Sequence, residues 1–158
     1  MEEDKPQEKI RILYVDDEEN NLQAFKATFR REYKISLAIS AKQGREILAN
    51  EEIDLIITDQ RMPDETGVEF LASIIPIHPK PMRILLTGYT DIQAVIDAIN
   101  MGQVYHYLTK PWEADYLRTV IKNAFEIYML RNENETLTKA LIKSNEQLEF
   151  LIRQNLLS

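Results

Sequence analysis

The 158-residue sequence predicts an α/β protein: a doubly wound, five-stranded parallel sheet in the order 2-1-3-4-5, whose last helix continues as a coiled coil. Three observations predict it. Short β-branched or aliphatic runs alternate with helix-period segments from residue 10 to about residue 112. The first, third and fourth runs are apolar almost throughout, as strands covered on both faces must be. After Pro111 neither glycine nor proline recurs, so nothing in the remaining chain breaks a helix.

The first strand is residues 12–15, Ile-Leu-Tyr-Val, and it feeds a helix over 20–31. Residues 34–39 form the second strand and 41–50 the second helix. The run Leu-Ile-Ile-Thr over 55–58 is the third strand, and a helix over 67–75 opens at Gly67. Arg-Ile-Leu-Leu over 83–86 is the fourth strand, followed by a helix over 92–101 with Gly102 as its C-cap. Residues 105–108, Tyr-His-Tyr-Leu, complete the sheet, and Trp112 is expected to pack at the entry to the last helix.

That helix is rich in Leu, Glu, Lys, Asn and Gln, and at 1.5 Å per residue it would run about 70 Å. Val120, Ile127, Asn134, Leu141, Leu148 and Asn155 fall at heptad position a, with Tyr116, Asn123, Leu130, Leu137, Ser144 and Leu151 at d. Leu117, Ile121 and Ala124 occupy a different face, suited to the sheet. The distal stripe predicts a parallel homodimer, with Asn134 favouring a two-stranded, in-register pair. The expected organisation is therefore a flexible tail over 1–9, a sheet domain over 10–125 and a coiled-coil extension over 126–158.

Composition narrows the class. With 44% hydrophobic and 28% charged residues, the chain has no apolar run long enough to cross a bilayer, so no membrane association is expected. Residues 1–9 lack the apolar stretch of a secretory signal. The absence of cysteine suits a reducing, cytoplasmic compartment. A net charge of −7 and a pI near 4.9 argue against nucleic-acid binding by this chain, because phosphate neutralisation needs Lys and Arg in excess.

In a parallel sheet, chemistry gathers beyond the carboxyl ends of the strands. Asp16 and Asp17 follow the first strand, Asp59 the third, Thr87 the fourth and Lys110 the fifth. Each has an ordinary explanation taken singly. Asp17 suits a helix start, Asp59 a turn and Thr87-Gly88 a loop, and a lone lysine is usually solvated surface. Together they predict one cleft. Three adjacent carboxylates raise one another's proton affinity, a cost that a divalent cation would offset. Mg²⁺ suits hard oxygen ligands and joins carboxylates to phosphates. Lys110 and Thr87 could then meet phosphoryl oxygens, leaving Asp59 as a carboxylate nucleophile.

The stretches 12–17, Thr58-Asp59-Gln60-Arg61-Met62-Pro63 with Gly67, Leu86-Thr87-Gly88 and Tyr107-Leu108-Thr109-Lys110-Pro111 resemble the receiver domains of two-component response regulators. The resemblance covers roughly residues 10–125 and implies a flavodoxin-like sheet. It implies Mg²⁺ held by Asp16, Asp17, Asp59 and the main-chain carbonyl of Arg61. Asp59 would accept phosphate from a sensor histidine kinase or phosphotransfer protein, and Thr87 and Lys110 would bind it. Thr87 and Tyr107 would form the switch, Arg61, Gly88 and Tyr89 would border phosphate access, and Lys110-Pro111 would be cis. The resemblance implies a signalling domain rather than an enzyme acting on other substrates, with an output domain outside this chain; the alternative is a complete, stand-alone dimeric interaction module. A dehalogenase-type aspartyl enzyme would need an Asp-x-Asp order after the first strand, where this chain has Asp16-Asp17-Glu18. A flavodoxin-like electron carrier would need small hydroxyl and glycine residues there.

Overall fold

The structure, a computed structural model, describes residues 8–88 and 92–157. The first seven residues of the expected tail and Tyr89 lie outside the described residues. The elements are β1 (Arg11–Val15), α1 (Glu19–Phe29), β2 (Lys34–Ala38), α2 (Ala41–Asn50), β3 (Leu55–Asp59), α3 (Gly67–Ile74), β4 (Met82–Thr87), α4 (Ile92–Asn100), β5 (His106–Thr109) and α5 (Ala114–Leu157). The five strands are parallel and ordered β2-β1-β3-β4-β5, as the sequence predicts.

Three strands run one residue further than expected. Asp59 pairs with Leu86 and Thr87 with Thr109, so these polar residues are the last rungs of β3, β4 and β5 rather than loop residues beyond them. Backbone pairing continues there because the partner strand is still present; side-chain polarity does not end a ladder.

Strand alternation divides the core. Leu13, Val15, Ile56 and Leu85 join Phe70, Leu71, Ile74, Val95 and Ala98 in one apolar cluster. On the other face Tyr14 stacks on Phe25, with ring centroids 4.2 Å apart, and Phe25 and Phe29 meet Trp112 at 6.2 and 5.6 Å. Trp112 therefore packs at the helix entry, where the sequence placed it. Ser40 caps α2 and Thr66 caps α3, each side-chain oxygen accepting a backbone N–H three residues on. Two residues beyond the end of α4 stands Gly102, whose φ of 74° suits glycine. The Gly102 and Gln103 N–H groups donate to Ile99 and Ala98, satisfying carbonyls that the helix end leaves free.

The chain divides into two compact units between Phe125 and Glu126. Within the first, Leu117, Ile121 and Ala124 are buried, as their face of the heptad predicts. Val120 corrects the register's start: it is buried in the domain's own core and cannot serve as an a position facing a partner. In the second unit the stripe stands in solvent, with Leu130, Leu137, Leu141, Leu148 and Leu151 each 57–63% exposed.

Candidate functional site

The parallel sheet brings the ends of β1, β3, β4 and β5 to one edge. Asp16 follows β1 directly, and its backbone N–H donates to Ala38 O across the β2 end. Asp59 ends β3, where the following Gln60 N–H donates to Leu86 O. Gln60 is itself buried and organises the next turn: its carbonyl accepts the Gly67 N–H and its side-chain Oε1 accepts the Val68 N–H at 2.9 Å. Lys110 is delivered by the end of β5, its N–H bonded to Thr87 O, and the peptide bond to Pro111 is cis.

Asp16, Asp17 and Asp59 each offer an oxygen within 4.8 Å of the others. Lys110 Nζ lies 2.8 Å from Asp59 Oδ2 and 3.4 Å from Asp16 Oδ2. Asp16 is fully buried, Asp59 nearly so, and Asp17 partly open. Burial pushes the Asp59 carboxyl above the usual carboxylate range; the hydrogen bond and charge of Lys110 pull it back, and Asp16 pushes it further up. For Lys110 burial acts downward, but attraction to Asp59 and Asp16 outweighs it and the ammonium is stabilised. Three carboxylates thus face one ammonium, a hard-oxygen donor set short of positive charge. Such a set suits a divalent cation.

The remaining predicted residues are placed less tightly. Thr87 is buried at the end of β4, where its Oγ1 donates to Gly88 O at 3.0 Å. Arg61 is exposed, and its backbone N–H contributes a hydrogen bond to the Asp59 carboxylate. Gly88 is exposed with nothing within 4 Å of where a Cβ would stand. Tyr107 is half-buried against the apolar cluster. His106, beginning β5, keeps Nε2 buried without a partner among the described residues, and burial lowers its proton affinity.

The sequence reading missed two residues. Tyr14 Oη donates to Asp16 Oδ2 at 3.2 Å and Asn21 Nδ2 donates to the same oxygen at 3.1 Å. A signal existed for Tyr14: it stands two residues before Asp16, on the same side of the strand. Burial, then the Asp16 charge, drives its phenol ionisation far upward, so the hydroxyl stays a donor.

The response regulator receiver domain matches residues 12–122. The hydrogenase transcriptional regulatory protein HoxA of Bradyrhizobium diazoefficiens is 35% identical over 79% of this chain and 26% of its own length. HoxA of Cupriavidus necator is 34% identical over 93% of this chain and 30% of its own. The chain thus spans between a quarter and a third of these regulators. Among solved structures, a response regulator receiver domain protein from Clostridium thermocellum aligns with a TM-score of 0.72 at 35% identity, covering 77% of this chain and 98% of that one. A structure titled as an adenylate cyclase from Rhodopirellula baltica aligns with a TM-score of 0.80 at 27% identity, covering 83% and 98%. No helix among the described residues is long and apolar enough to cross a membrane.

Proposed function

The chain belongs to the response regulator receiver family, and on that premise we propose that it accepts a phosphoryl group on Asp59 from a sensor histidine kinase or phosphotransfer protein in the cytoplasm. The observation that carries the reading is the pair of buried Asp59 and partly exposed Lys110, 2.8 Å apart, beside a cluster of three carboxylates. Asp16, Asp17 and Asp59, with the main-chain carbonyl of Arg61, would hold Mg²⁺, which when bound neutralises carboxylate charge and draws charge from the phosphoryl oxygens.

The protein's own groups supply the remaining parts of the transfer. An Asp59 carboxylate oxygen forms the new O–P bond as the donor's P–N bond breaks; the electron pair leaves with the imidazole, which takes a proton from water. Lys110 exchanges its contact with Asp59 for a phosphoryl oxygen. Thr87 gives up its bond to the Gly88 carbonyl and turns to the phosphoryl group, and Tyr107 moves with it as the second half of a two-state switch. Exposed Arg61 and Gly88, with Tyr89 by its place in the sequence, border the entrance and govern water access to the acyl phosphate.

The signal then passes to a homodimer formed through residues 126–157, whose exposed leucines need an apolar partner. The relatives named as transcriptional regulators are about three times as long, which supports an output unit beyond these 158 residues. Their names do not fix its activity in this protein. The receiver itself makes no nucleic-acid contact in this reading, consistent with its charge of −7. Incubation with acetyl phosphate and Mg²⁺ should add one phosphoryl group by intact mass; chelation should prevent it and Asp59→Asn should take up none. Phosphorylation of that variant to the wild-type level would overturn the assignment.

A further inference from the structure

Asp16 is held by more donors than an isolated metal ligand needs. Its Oδ1 accepts the Glu18 N–H at 3.0 Å. Its Oδ2 accepts from Asn21 Nδ2 at 3.1 Å and from Tyr14 Oη at 3.2 Å, and lies 3.4 Å from Lys110 Nζ. Tyr14 and Asp16 are both fully buried. The Tyr14 ring is fixed by a parallel stack on Phe25, at an interplanar angle of 3°. Trp112 meets the edge of Phe25 and lines one cavity with Tyr14, Asn21 and Lys110. Tyr14 thus stands between a carboxylate of the acidic pocket and the segment that joins β5 to α5.

We propose that Tyr14 is a positioning residue of the pocket: its hydroxyl holds the Asp16 carboxylate in the orientation that receives a divalent cation. The proposal rests on the reading of the pocket as a Mg²⁺ site. A buried carboxylate ligand without fixed donors samples rotamers and loses metal affinity, and removing such a supporting group typically lowers affinity about 10- to 100-fold. Were Tyr14 only a core aromatic, its ring would matter and its hydroxyl would not.

Tyr14→Phe separates the two, because it keeps the ring stack and removes only the donor. Mg²⁺ affinity is measured on the full chain by titration calorimetry. The variant should unfold at a temperature close to wild type and bind Mg²⁺ roughly tenfold more weakly. Asn21→Ala, which removes the other uncharged side-chain donor from the same oxygen, should weaken Mg²⁺ binding as well. Equal Mg²⁺ affinity in Tyr14→Phe and wild type would overturn the positioning role alone. Absence of saturable Mg²⁺ binding by the wild type would overturn the pocket reading with it.

Discussion

Gly67→Ala tests whether the pocket's geometry depends on the close approach of α3 to the end of β3. A Cβ at this position would stand 2.4 Å from the Asp59 carbonyl oxygen and 2.7 Å from Leu85 Cδ1. A carbon-to-oxygen contact normally needs about 3.3 Å, so the helix start must retreat by nearly an ångström. Neither obstacle yields readily: Asp59 is held in the ladder opposite Leu86, and Leu85 is fully buried. The retreat would stretch the Gly67 N–H bond to Gln60 O, now 3.0 Å, and disturb the Thr66 cap. Overpacking of this kind costs about 1–3 kcal/mol, and the better helix propensity of alanine returns up to about 1 kcal/mol. The net loss of about 1–2 kcal/mol should lower Tm by roughly 5 °C. Thermal unfolding followed by circular dichroism measures it, and phosphorylation by acetyl phosphate should slow because the displaced backbone belongs to Asp59. Gly88→Ala is the control: its Cβ meets nothing within 4 Å, so Tm should hold. A Gly67→Ala protein with wild-type Tm and phosphorylation rate would refute the argument.

Two further predictions concern charge and assembly. Burial raises the Asp59 pKa above its ordinary 3.8, so this group's contribution to stability is fully present below pH 3.8 and is lost as pH rises through the folded value. Asp59→Asn should accordingly raise the Tm of the metal-free protein at neutral pH and make little difference below pH 3.8; a less stable variant at neutral pH would contradict the sign. Light scattering should find the intact chain dimeric and a version ending near Arg131 monomeric or more weakly dimeric, and equal monomeric masses would remove the coiled coil.

The fold was legible because its signals are local and repeated. Runs such as Leu55-Ile56-Ile57 are apolar on both faces, and the polar helical stretches between them leave only a parallel, covered sheet. Strand ends were less legible, since Asp59 and Thr87 look like loop residues while their backbones still pair. The heptad pattern likewise carried a start that the tertiary structure cancels. Val120 fits the 3-4 spacing as well as Ile127 does, but the domain's own core claims it. Spacing records that a position is apolar; it does not record which surface covers it.

The site was legible to the extent that parallel topology alone could assemble it. Once every strand's carboxyl end lies on one edge, Asp16, Asp17, Asp59 and Lys110 must approach one another, whatever their loops do. The division of the lysine's charge between the acids was not legible. Lys110 lies 2.8 Å from Asp59 but 3.4 Å from Asp16, and Asp16 has a further donor in a residue that the apolar-run reading counts only as hydrophobic. Tyr14, with Asn21, already supplies Asp16 Oδ2 with donors that are fixed in place by the strand and by α1. Asp59 has instead the flexible Lys110 and one backbone N–H. Of the two buried carboxylates, Asp16 is therefore held by groups that cannot leave, and Asp59 by one that can withdraw along its own side chain. A carboxylate that must exchange a resting partner for a phosphoryl group needs the second arrangement, so the asymmetry in distance is what the proposed division of roles between Asp59 and Asp16 requires.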